Sequence, residues 1–126
     1  MTRRAKLTIV IGSVVLAVTL LMWFSFTFAI HDPFFREKEF ASEDWLKGNV
    51  RIRGQMVSCL IEKTTLVGKS REEVVKLLGA PDWVGTNTIE YTVDVGQRFL
   101  GSSWLYRLKL ELSATNGPVT NVWMLD

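Results

Sequence analysis

Hydrophobic residues are distributed along this chain in three ways: an unbroken run, then a helical period, then strict alternation. From Leu7 to Ile30 there is no charged residue, and Leu, Ile, Val, Phe, Ala and Trp dominate without a polar stripe. Roughly 20 apolar residues suffice to cross a bilayer as a helix, so this run predicts a membrane-spanning helix over residues 7–30. Each Leu, Ile, Phe or Val near the helix centre favours insertion by about 0.3 to 0.6 kcal/mol, which together outweigh Gly12 and the few Ser and Thr.

A secretory signal peptide is the competing reading. Arg3, Arg4 and Lys6 form a basic n-region, and Thr27 and Ala29 are small enough for a cleavage site. Signal peptides carry an apolar core of only about 7 to 15 residues, so the length favours an uncleaved signal anchor and leaves cleavage near Ala29 as the alternative. Basic residues precede the run and His31 and Asp32 follow it, which places residues 1–6 as a cytoplasmic tail and the rest outside. Pro33, Phe34 and Phe35 read as an interfacial exit, and the alternating charges of Arg36–Phe40 complete a solvated spacer over residues 31–40.

Helical spacing begins at residue 41. Ser42 is the expected N-cap, with Glu43 and Asp44 in the first turn, and Trp45, Ile52, Met56, Cys59 and Leu60 share one face through Glu62. Gly48 and Gly54 each weaken such a helix by about 1 kcal/mol relative to Ala, and a break near Gly48 or Asn49 is open. A second, short helix is written into "GKSREEVVKLLGAPD". Ser70 and Glu73 fit a capping box, Val74, Leu77 and Leu78 form the stripe with Val75 at its flank, Gly79 supplies a left-handed stop, and Pro81 forbids continuation. Gly68 is expected to allow a close approach between the two helices. Barely three turns long, this helix depends on packing against a broad surface.

Alternation then takes over. Ile89, Tyr91, Val93 and Val95 fall on one face, with Glu90, Thr92 and Asp94 on the other; Trp104, Tyr106, Leu108, Leu110 and Leu112 face inward, with Arg107, Lys109 and Glu111 in water. "GQRFLGSS" reads as a long hairpin loop, and "TNGP", residues 115–118, as a turn before "VTNVWML". The expected fold is α+β: two helices on a three-stranded antiparallel sheet, a two-layer sandwich behind the N-terminal transmembrane helix.

Charge and cysteine change little in this picture. Setting aside Arg3, Arg4 and Lys6 leaves 12 of the 15 basic residues against 13 acidic ones, a net of −1, so the pI near 8.9 is an effect of the anchor. No basic cluster suggests a nucleic-acid partner. Cys59 is alone, so no disulfide forms within the chain, and it reads as a small buried hydrophobe.

Gly68, Ser70, Glu73, Val74, Leu77, Leu78, Gly79 and Pro81, followed by Tyr91 and the Trp104–Leu112 strand, resemble the SmpA/OmlA, or BamE-like, domain of small bacterial envelope proteins over about residues 40–126. The resemblance implies a non-enzymatic fold used for protein contacts, here occupying residues 41–126. The chain departs from the lipoprotein members in having no lipobox cysteine after its apolar segment. A single-pass location in a bacterial inner or plasma membrane, with the domain periplasmic or extracellular, is therefore expected.

Catalysis finds little support in these residues. His31 is the sole histidine and abuts the membrane exit, so neither a Ser-His pair nor a histidine-rich metal site can be assembled in one chain, and no cofactor is implied. "GSSW" at residues 101–104 lacks the second glycine of a nucleophile elbow. Asp82, Glu90 and Asp94 would form a carboxylate group only if their segments converged. The leading expectation is a membrane-tethered interaction module contacting another envelope protein through Trp83, Phe99 or Trp123. The alternative is a small molecule or cell-wall ligand held between the sheet and the second helix.

Overall fold

A computed structural model describes residues 1–63 and 66–126. The chain opens with α1 (Arg3–Ile30), capped by the Thr2 hydroxyl, which accepts from the Ala5 N–H at 3.2 Å. Its mean hydropathy reaches 2.4 and none of its residues is buried by protein, so it is long and apolar enough to cross a membrane. Four of its hydroxyls are compatible with hydrocarbon because they are satisfied within the helix. Thr8, Ser13, Thr19 and Thr27 each donate to the carbonyl four residues earlier, at 2.8–3.0 Å.

The expected first helix is divided at Gly48. Helix α2 (Ser42–Lys47) and α3 (Val50–Glu62) are separate, and Asn49 caps α3 by accepting from the N–H groups of Arg51 and Ile52. Ser42 is not the N-cap expected of it. Ala41 holds that position, and the Ser42 hydroxyl donates instead to the Leu77 carbonyl at 2.6 Å, tying α2 to the next helix.

That helix, α4 (Arg71–Leu78), has its capping box in place: the Glu73 N–H donates to the Ser70 hydroxyl, and the Ser70 N–H donates to the Glu73 carboxylate at 3.0 Å. Gly79 ends it at φ 77°, ψ −170°, a region open essentially only to glycine but not the left-handed helical one expected. Gly68 also has a positive φ, 87°, yet a Cβ there would meet nothing within 4 Å. It serves a turn that pairs with Val119, rather than a close approach of helices.

Among the described residues the sheet has four strands, not three: β1 (Trp83–Val84), β2 (Thr88–Phe99), β3 (Ser102–Leu112) and β4 (Val119–Leu125), ordered β1-β2-β3-β4 with every pair antiparallel. The extra strand is two residues long, too short to show a period. Most of the expected hairpin loop is strand as well. Only Leu100 and Gly101 turn, both at positive φ, which matches the twist of the flanking strands. The 115–118 turn is present, and Arg71 donates across to the Thr115 and Thr86 carbonyls.

One core joins these layers: Trp45 from α2, Met56, Val57 and Leu60 from α3, Val74 and Leu78 from α4, and Ile89, Tyr91, Val93, Leu108, Leu110 and Leu112 from the sheet. Trp45 is its polar-tipped centre, donating through Nε1 to the Leu78 carbonyl at 3.1 Å. Gly54 brings α3 against β2, since a Cβ there would overlap the Asp94 carbonyl oxygen. Helix coverage does not extend to the far end of the hairpin. Trp104, expected inside, is 43% exposed there.

Residues 31–40 are not a free spacer. The Asp32 N–H donates to the Gly96 carbonyl at 2.9 Å, His31 bridges to Gln97, and the Phe35 ring fills the space a side chain at Gly96 would occupy. The Lys38 N–H donates to the Gln55 carbonyl at 2.7 Å, and Phe40 meets Trp45 edge-on. A register irregularity in β2 between Asp94 and Arg98, with Gly96 at φ 82°, opens the strand to receive this segment.

Candidate functional site

The face of the sheet opposite the core carries one row of side chains across all four strands. Trp83 pairs with Glu90, Glu90 with Lys109, and Lys109 with Trp123, so all four project on the same side. The sequence reading exposes Glu90 to water. It is only 4% exposed, because its neighbours on this face cover it.

Burying a carboxylate is costly unless it is paired, and Glu90 is paired twice. Arg107 donates through Nη1 to Oε2 at 3.0 Å, and the Lys109 ammonium lies 3.8 Å from Oε1. The same ammonium sits 5.7 Å from the centre of the Trp123 ring, a cation–π geometry. The Trp83 ring bends over Gly85, and the residue stays 53% exposed at the other end of the row. The result is one carboxylate held between two cations, an ionic centre with one positive charge in excess, flanked by two indoles.

Trp83 and Trp123, two of the three expected contact residues, are thus brought to one face. Phe99 is not. It lies at the β2–β3 hairpin tip, edge-on to Trp104 at 5.7 Å, beside a hollow of about 230 Å³ lined by Gln97, Arg98, Tyr106 and Asp126. Between α4 and the sheet, Val74 and Leu78 are both fully buried in the core.

The acidic residues have structural partners. Asp82 accepts from the Thr92 N–H at 2.7 Å, and Asp94, buried rather than solvated, accepts from the Gly96 N–H at 2.9 Å. Asp32, also buried, accepts from the Phe34 N–H through Oδ1 at 2.9 Å. Its Oδ2 has no aligned hydrogen-bond donor, but its charge is met by the guanidinium of Arg51 and by that of Arg98 at 3.5 Å. Arg51 above all, helped by the Phe34 N–H, holds this carboxyl below the usual aspartate range despite desolvation.

Tyr91 is fully buried, and desolvation pushes its phenol well above the usual range while its hydroxyl donates to the Gly79 carbonyl at 2.8 Å. Cys59 is half-buried rather than buried. Among the described residues, no group of three or more His, Cys, Asp and Glu is placed to hold a metal ion.

Sequence reasoning missed Glu90 and Lys109 as members of a surface site. Alternation gives the face of a strand residue, but the row depends on the register of three strand pairs, which no local pattern encodes. No family model, no curated protein and no solved structure matches this chain, so the functional reading rests on its own residues.

Proposed function

We propose that this chain is a non-enzymatic, membrane-tethered protein-interaction module that presents the Trp83–Glu90–Lys109–Trp123 row to another envelope protein. The observation that carries the reading is this row. It combines exposed indole with a carboxylate paired inside the chain and one positive charge in excess, so a partner that brings a carboxylate can cover it without stranding an unpaired charge.

In this reading α1 is an uncleaved anchor, with its N-terminus in the cytoplasm as Arg3, Arg4 and Lys6 favour. The uncleaved form is supported by the contact of the last turn with the domain, where the Gly101 N–H donates to the Ala29 carbonyl at 3.2 Å. The resemblance to the SmpA/OmlA domain points the same way, toward protein contacts in a bacterial envelope.

Replacement of Trp83 and Trp123 by alanine in the full-length chain tests the proposal. Co-purification of partners from native membranes should fall severalfold while the folded domain persists by far-UV circular dichroism. Undiminished partner recovery from the double variant would overturn it.

A further inference from the structure

The β2–β3 hairpin tip lies against the end of α1. Its Gly101 N–H donates to the Ala29 carbonyl, so the tip shares the depth of the last turn of that helix. If Leu7 marks the inner edge of the hydrocarbon, about 30 Å of helix at 1.5 Å per residue reaches the outer edge near Phe26. Ala29 is then about 4.5 Å farther out, within the headgroup layer that adds about 5 to 7 Å on each side.

The tip has the composition that layer selects. Residues 99–106, "FLGSSWLY", contain no charged side chain. Phe99 is 61% exposed and Leu100 80% exposed, and Trp104 and Leu105 are also open. The adjacent cation, Arg98, lies beside the buried Asp32. Phe34, at the helix exit, is exposed as well. In water this cluster would be an unexplained apolar patch, whereas aromatic rings at headgroup depth are favoured.

We propose that the hairpin tip is a second membrane contact, in which Phe99, Leu100 and Trp104 partition into the headgroup region of the outer leaflet and fix the domain's tilt over the bilayer. This inference rests on the reading of α1 as a membrane anchor. The occupant is lipid because the backbone bond to Ala29 places the tip beside a helix whose own surface is apolar all round. It assigns Phe99 to the membrane, and not to the protein contact expected of it.

Site-directed spin labels test it in the full-length chain carrying Cys59→Ser, reconstituted in phosphatidylcholine–phosphatidylglycerol vesicles. Leu100→Cys, Thr115→Cys in the β3–β4 turn, and Val18→Cys within α1 are compared for collision with a water-soluble nickel chelate. Position 100 should be shielded severalfold relative to position 115. Shielding at 18 with full exposure at 100 would overturn the hairpin contact alone; exposure at both would overturn the anchor and the hairpin together. Shielding at 100 in native membranes but not in protein-free vesicles would assign the tip to a protein and overturn the lipid contact. A measurement independent of cysteine uses brominated lipids, which should quench the native protein more than Trp104→Phe; equal quenching would contradict the proposal.

Discussion

Gly54 sets the distance between α3 and β2, because the Asp94 carbonyl occupies the place of its missing side chain. By propensity alone Gly54→Ala would stabilise the helix by about 1 kcal/mol, but the overlap forces helix and strand apart, and such overpacking costs about 1 to 3 kcal/mol or more. We expect a net loss of about 2 kcal/mol or more, read as a lowered midpoint in thermal unfolding of the full chain. The glycine's helix-weakening effect was legible in the sequence, and the contact that makes it necessary was not. Asp32 is held by its ion pairs with Arg51 and Arg98. Its carboxyl has a lower pKa folded than unfolded, so the unfolded chain binds more protons in the acid range. The stabilisation is complete above the unfolded value, near pH 4, and is lost as pH falls through the folded value. Asp32→Asn should lower stability at neutral pH and flatten its dependence on acid; melting curves across that range check both.

Helix α4 was the most legible element, since its capping box, stripe and stop residues are all local signals. Ser70→Ala should cost about 1 kcal/mol, and Glu73→Gln should cost less because an amide oxygen can still accept from the cap. Equal losses in chemical unfolding would argue against a reciprocal box. Ser42 shows the opposite case. Its residue type suits a cap, but the Leu77 carbonyl competes for its hydroxyl, and that acceptor is set by tertiary packing. Strand faces were legible from alternation near the core. They failed toward the hairpin tip, where no helix covers Trp104, and at Glu90 and Asp94, which face away from the core yet are buried. Tyr91→Phe should cost about 1 to 3 kcal/mol by leaving the Gly79 carbonyl without its donor, a loss visible in the same unfolding experiment.

At the scale of the whole molecule, the division into an apolar run and an α+β domain was legible, but their joint was not. Charge alternation in "REKEF" suggests a solvated tether, whereas the bonds of Asp32 to Gly96 and Lys38 to Gln55 lay that segment along the domain. The joint therefore orients the interaction row with respect to α1. Lys109 lies eight residues along β3 from Gly101, about 27 Å at the rise of an antiparallel strand, which separates the row from the hairpin tip. Contact with a partner there and contact with lipid at the tip are compatible. The outer sheet face is the proposed protein contact. Its most direct test is photocrosslinking in native membranes, with a benzophenone side chain placed in turn at Trp83, at Trp123 and at Glu72 on the first turn of α4. With that face as the contact, positions 83 and 123 should each give one discrete adduct to another protein and position 72 none. Adducts from 72 with none from 83 or 123 would contradict it.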